Sequence, residues 1–208
     1  MTNLAKNDIV YPNFEEGNYM IKIESLKDYL KTISNEDFIM LATKIYMITD
    51  FICKDYPKHK EWYFTKQLPA IAGEERNILF VRNPENQEEI ISMACLKKDE
   101  EEQKICTLYV SDKCRGLGIG TAIVEDSMKW LGTTKPLITL ADYKLEMFKP
   151  IINKYDWQLT EIVSGLYNDR SQELCFNGTL TKNNNNLLEQ QLHRRLVKAL
   201  EYRKNQLK

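Results

Sequence analysis

Seven consecutive residues, Arg115 to Thr121, read R-G-L-G-I-G-T and carry the clearest chemistry in this 208-residue chain. An alternating apolar stretch, Ile105 to Val110, precedes them, and a helical pattern follows as far as Gly132. A strand feeding a glycine-rich turn that opens a helix aims several backbone N–H groups at one point. With the positive end of the helix dipole, they form a seat for a phosphate. Glycine lets the backbone approach such a ligand closely, and Arg115 adds a positive charge. No carboxylate stands in the first helical turn, where the dipole favours one. The anion is therefore expected from outside the chain.

Composition narrows the class. At 43% hydrophobic and 28% charged residues the chain is ordinary globular material. No apolar run approaches the roughly 20 residues that cross a bilayer, and Met1 to Lys6 lacks the pattern of a signal peptide. A cytoplasmic protein is expected. Cys53, Cys95, Cys106, Cys114 and Cys175 form no Cys-x-x-Cys pair and read as reduced thiols. With only His59 and His193 beside them, no ligand spacing for a metal appears. Charge is uneven. Residues 182–208 carry seven Lys/Arg (Lys182, Arg194, Arg195, Lys198, Arg203, Lys204, Lys208) against Glu189 and Glu201, a balance of +5 that leaves −6 for the rest. An acidic body favours the approach of a cation.

The elements that must position the loop follow from periodicity. Residues 1–18 read as an irregular arm and Tyr19–Ile23 as the first strand. Ser34 and Asp37 open a helix with Phe38, Leu41, Ala42, Ile45, Ile48 and Ile52 on one face. A second helical piece, Lys58 to Leu68, contains Trp62, Tyr63 and Phe64. Strands follow at Asn77–Val81 and Glu89–Lys97, with Asp99–Glu102 as a hairpin tip. Beyond the loop come a helix to Leu131, a strand from Pro136 to Ala141, and a helix from Leu145 to Tyr155 interrupted by Pro150. Two closing strands, Trp157–Val163 and Glu173–Leu180, flank a turn at Asn168. This order predicts an α/β (α+β) fold with a mixed sheet and helices on both faces. Asn183 to Asn186 separate a basic segment in which Leu188, Leu192, Leu196 and Leu200 recur every four residues. The domain division is a 1–18 arm, a 19–181 domain and a 182–208 basic amphipathic helix.

Two phosphate folds fit poorly. A nucleoside-triphosphate loop needs G-x-x-x-x-G-K-[ST], and no lysine precedes Thr121. A dinucleotide loop needs a third Gly or Ala where Thr121 stands, and Asp142 would be its ribose acid. That fold, however, starts with its glycine loop rather than a hundred residues later.

Arg115-Gly116-Leu117-Gly118-Ile119-Gly120 resembles R/Q-x-x-G-x-G/A, the acetyl-coenzyme A pyrophosphate loop of the GNAT N-acetyltransferase superfamily. Leu108-Tyr109-Val110-Ser111-Asp112 is similar to the splayed strand before that loop. Tyr155-Asp156-Trp157 stands where the family has a Leu-Gly-Phe-like helix end. The resemblance covers about Tyr19 to Leu180. It implies a mostly antiparallel sheet with a V-shaped splay between the family's strands 4 and 5. It also implies acetyl-CoA held by Leu108, Val110, Arg115, Gly116, Leu117, Gly118, Ile119, Gly120 and Thr121. The activity implied is direct acetyl transfer to a primary amine in a ternary complex, with backbone N–H near Val110 polarising the thioester.

The family's thiolate-protonating tyrosine falls at Ile152 and its frequent asparagine at Leu145, both mismatches. Asp142 is our candidate for helping to deprotonate the amine, and Tyr143 or Tyr155 for protonating sulfur; Tyr167 is a further tyrosine near the last hairpin. Two alternatives stay open: a non-catalytic acetyl-CoA-binding module, and an RNA-directed acetyltransferase using the basic tail. The leucine stripe favours homodimer or partner docking through 187–207 over nucleic acid. Trp62, Tyr63 and Phe64 stand where acceptor sites of the family are often walled, though helix-on-sheet packing is the favoured explanation for them. The acceptor is a small-molecule or peptide amine, and no membrane partner is expected.

Overall fold

Short runs rich in apolar residues build a single sheet among the described residues. The computed structural model describes residues 8–10, 20–168 and 170–180. Its strands are β1 (Asp8–Val10), β2 (Met20–Ser25), β3 (Arg76–Arg82), β4 (Ile90–Lys98), β5 (Gln103–Val110), β6 (Leu137–Ala141), β7 (Leu159–Ser164) and β8 (Gln172–Phe176). They lie in the order β1-β2-β3-β4-β5-β6-β8-β7. Neighbours are antiparallel except β5 and β6, which are parallel. The helices are α1 (Leu26–Tyr29), α2 (Asn35–Met47), α3 (His59–Trp62), α4 (Ile119–Leu131) and α5 (Leu145–Lys154).

Successive residues on β3 and β4 feed two cores. Ile78, Phe80, Met93 and Cys95 pack with Leu41, Ala42 and Ile45 of α2. Leu79, Val81, Ala94 and Leu96 pack with Ile119, Ile123, Val124 and Leu131 of α4 and Ile152 of α5. Helices thus cover both faces, and β4 is buried over its first seven residues.

The α4 termini are set by glycine. Gly118 precedes the helix at φ +83° and Gly132 follows it at φ +76°, both in the left-handed region that side chains disfavour. At the C-terminus the N–H groups of Gly132 and Thr133 both bond the Met128 carbonyl, at 2.9 and 3.2 Å.

The splay has a local cause. β5 pairs with β4 along its length, but the register skips Cys106: Ile105 faces Leu96 and Thr107 faces Cys95. This bulge sharpens the twist of β5. Among the described residues β5 and β6 then pair only at Lys104–Leu137 and Ile105–Ile138. Beyond these the two strands part. Because β1 adds a strand before the expected first one, the opening lies between β5 and β6 here.

Several expectations need correction. The 1–18 arm is not wholly irregular, since β1 pairs with β2 from Asp8–Lys22 to Val10–Met20. The helix opened by Ser34, whose hydroxyl accepts the Asp37 N–H at 3.1 Å, ends at Met47 rather than reaching Ile52. A separate tight turn spans Asp50–Lys54. Pro150 does not interrupt α5, which runs through it; the carbonyl it deprives of a partner belongs to Glu146, an exposed residue near the helix start. The 182–208 tail and its 187–207 helix lie outside the described residues, as does most of the arm. All five cysteines are free thiols.

Gly132→Ala places a side chain in the left-handed region. It should cost about 1–2 kcal/mol and lower Tm by roughly 2–8 °C in a thermal melt.

Candidate active site

The glycine loop joins the end of β5 to α4. Ser111 N–H bonds the Ile91 carbonyl of β4 at 2.8 Å. In an antiparallel ladder hydrogen bonding alternates, so Thr107 and Tyr109 also direct their N–H groups to β4. Leu108 and Val110 direct theirs the other way, into the opening between β5 and β6. Their side chains pack under α4 and α5.

At the head of α4 the first backbone bond within the helix is Ala122 N–H to Gly118 C=O, at 3.0 Å. The N–H groups of Ile119, Gly120 and Thr121 therefore have no partner inside the helix. Gly118 offers no side-chain cap and the first turn holds no acid. Thr121 and Gly120 are half-exposed. A Cβ on Gly120 would lie 3.5 Å from Val110 Cγ2, so loop and strand end are in close approach. Arg115 is already engaged: its guanidinium sits 2.6 Å from Asp112. Leu117 is half-buried against the α4 core.

The tyrosine candidates separate. Asp142 is exposed directly after β6, and its Oδ1 accepts the Tyr143 N–H at 2.8 Å. Tyr143 is 58% exposed, and burial of its hydroxyl, then a hydrogen bond to Asp55, raises its pKa. Tyr155 lies at the other end of α5, about 15 Å along the helix. There it donates to Glu125 of α4 at 2.7 Å, beside the ion pair of Lys154 with Glu125 at 3.0 Å. The structure thus brings Asp142 and Tyr143 to the open end of the splay and does not bring Tyr155 to them. Ile152 is buried in the core. Asp156 takes the left-handed conformation, φ +50°, at the place the family gives to glycine, and Trp157 Nε1 donates to the Thr134 carbonyl at 3.0 Å.

Trp62, Tyr63 and Phe64 belong to packing. Tyr63 is fully buried and donates to the Ala42 carbonyl at 2.8 Å, and His59 stacks on both Tyr46 and Trp62. Among the described residues no group of three His, Cys, Asp or Glu could hold a metal, and no helix is long and apolar enough to cross a membrane.

Two residues that sequence reasoning missed stand beside the splay. Tyr56, between α2 and α3, donates to Glu173 of β8 with distances of 3.2 and 3.3 Å to its two oxygens. Glu173 pairs in register with Ala141, the last residue of β6, and is 4% exposed. The Tyr167 ring meets the Tyr56 ring edge-on at 4.9 Å, and Lys144 Nζ lies 5.3 Å over Tyr56 while pairing with Asp55 at 3.1 Å. The available signal was a lone acid inside the apolar run Glu173-Leu174-Cys175-Phe176.

With this geometry in hand, the comparisons with known proteins can be read. A search of curated proteins found no match. Residues 41–140 match the model of the Acetyltransferase (GNAT) family. The chain carries a domain of the GNAT acetyltransferase family. Solved structures agree on the fold. The ribosomal-protein-S18-alanine N-acetyltransferase of Escherichia coli aligns over 76% of this chain and 92% of its own, at 12% identity and TM-score 0.52. A GNAT-family protein from Desulfovibrio desulfuricans aligns over 75% and 96%, at 10% identity and TM-score 0.50. Nourseothricin acetyltransferase aligns over only 49% of this chain and 64% of its own, at 12% identity and TM-score 0.44, a likeness too partial to bear on the fold. The GNAT match ends at Leu140, so Asp142, Tyr143 and Glu173 all lie beyond it.

Burial pushes the Glu173 carboxyl above the ordinary glutamate value, against hydrogen bonds from Thr139 and Tyr56 and the charges of Lys104 and Lys144. The folded chain therefore holds this proton more tightly than the unfolded chain. Stability contributed here is present below the ordinary glutamate pKa and is lost as pH rises through the raised one. Glu173→Gln should melt higher than the parent at pH 8, with the difference closing near pH 4, in paired melts across that range.

Proposed function

We propose that this chain transfers an acetyl group from acetyl-CoA to a primary amine, directly, in a ternary complex. The observation that carries this reading is the α4 N-terminus, uncapped and free of acid, opening beside a strand end whose Leu108 and Val110 N–H groups face the splay. The N–H groups of residues 118–121 and the helix dipole suit a pyrophosphate. Leu117, Ile119, Gly116 and Arg115 line the same turn, with Arg115 exchanging Asp112 for phosphate. A thioester laid in the opening would direct its carbonyl to the β5 N–H groups, which stabilise the oxyanion as nitrogen attacks. The nitrogen must first lose its proton, and exposed Asp142 supplies a carboxylate at the mouth. Tyr143, whose raised pKa keeps its proton on at neutral pH, is our candidate to give one to the departing thiolate. Tyr155, held by Glu125, is the weaker of the two candidates.

A domain of residues 19–181, flanked by the arm and the basic 182–208 tail, is the organisation this reading uses. Ile152, buried where the family's tyrosine would stand, favours a second reading: an acetyl-CoA-binding module without catalysis. Turnover with any amine excludes it. RNA targeting, homodimerisation and partner docking all rest on the tail.

Thr121→Glu adds a carboxylate to the first turn of α4, where the dipole welcomes it by about 0.3–1 kcal/mol. Tm should hold or rise while acetyl-CoA affinity in calorimetry falls at least tenfold. Thr121→Gln, of the same size, should retain most of the affinity. Equal binding by all three proteins would remove the phosphate seat from this helix end. Asp142→Asn should lower kcat by about 10²-fold in a thiol-release assay, the usual scale for loss of an acid–base group. An unchanged kcat would retire Asp142.

A further inference from the structure

Glu173 is a buried carboxylate, and among the described residues no cation comes within ion-pair distance of it. Its partners are hydroxyls: Tyr56 donates to it, and Thr139 on β6 bonds it diagonally across the ladder. The two lysines whose charge reaches it lie elsewhere, Lys144 in its pair with Asp55 and Lys104 on β5. Taking a carboxylate out of water without a paired charge is costly, and a cation that meets it there offsets part of that cost.

Its position says which cation. Ile105 pairs with Ile138, so counting along the parallel strands past the bulge sets Ala141 level with Leu108 and Tyr109. Glu173 pairs with Ala141. The carboxylate therefore stands on β8, two strands from β5, with β6 between it and the β5 N–H groups that face the opening. Exposed aromatic rings come from three neighbouring segments, and Lys144 Nζ already lies 5.5 Å over the Tyr143 ring. Phe51 is 51% exposed against Tyr109 at 5.7 Å, while Tyr143 and Tyr167 are 58% and 42% exposed. Ring faces attract ammonium groups and reject anions. An alkyl amine arrives as an ammonium at neutral pH, since its pKa lies near that of lysine, about 10.4.

We infer that Glu173 is the specificity residue of the acceptor site, binding the ammonium group of an amine whose apolar or aromatic arm lies among Phe51, Tyr109, Tyr143 and Tyr167. This inference rests on the transferase reading for the word acceptor. Deprotonation remains with Asp142 and solvent; Glu173 selects and places the cation before that step.

Phenethylammonium chloride and its uncharged analogue 2-phenylethanol, titrated separately into isotopically labelled protein and followed by amide NMR shifts, test it. The parent should bind the ammonium at least tenfold more tightly than the alcohol. In Glu173→Gln, which keeps an oxygen for the Tyr56 hydroxyl, that preference should vanish, and Glu173→Asp should restore part of it. Where phenethylamine is turned over, Glu173→Gln should raise KM more than it lowers kcat. Equal affinity of the parent for both probes, or an undiminished preference in Glu173→Gln, overturns the inference. Acetyl-CoA titrated in parallel separates the two failures. Acetyl-CoA binding without ammonium preference sinks the Glu173 assignment alone. Ammonium preference without acetyl-CoA binding sinks the transferase reading and leaves a cation site.

Discussion

The chemistry proposed for this molecule depends on two parallel strands ceasing to pair. β5 and β6 share only the rungs at Lys104–Leu137 and Ile105–Ile138 before they diverge. A ladder left open inside a sheet exposes backbone donors whose pairing is worth about a kcal/mol each and whose burial unpaired costs more. On the proposed reading, these donors are concentrated where an oxygen-rich ligand would meet them. The skip at Cys106 is what bends the strand away, so one extra residue in β5 creates both the opening and the aim of Leu108 and Val110.

The two faces of the sheet divide the work at this opening. Under α4 and α5 the opening meets a helix N-terminus without a cap, an electropositive end suited to an anion. On the α2 side it meets Glu173 and a ring of tyrosines, suited to a cation. On the proposed reading, opposite charges would meet at the same gap from opposite sides, the geometry a bimolecular transfer needs before any bond is made.

How much of this the sequence disclosed depended on range. The glycine loop, the Ser34 cap and the α4 face are local patterns, and each lies where periodicity and turn chemistry put it. Local rules failed where tertiary packing overrode them. α5 continues through Pro150 because its packed face outweighs one missing hydrogen bond, and β1 forms because β2 offers it an edge. For Trp62, Tyr63 and Phe64 packing was the favoured reading, but three aromatic residues fit a core and a substrate wall alike until their neighbours are known. The Tyr56–Glu173 pair was beyond reach, since its members are 117 residues apart and neither sits in a motif.

That separation has a consequence for how the protein comes into being. Contacts between distant residues form late, because a long loop must close before they reward the chain. β8 inserts between β6 and β7, so β7 is made first yet ends at the sheet's outer edge, and it reaches the sheet only through its partner. The helix end that suits a phosphate is complete once the chain has passed Leu131; the carboxylate across from it exists only after Phe176 has emerged. During synthesis the nascent chain would therefore carry one half of the proposed chemistry well before the other, with the unpaired flank of β6 exposed until the last hairpin docks.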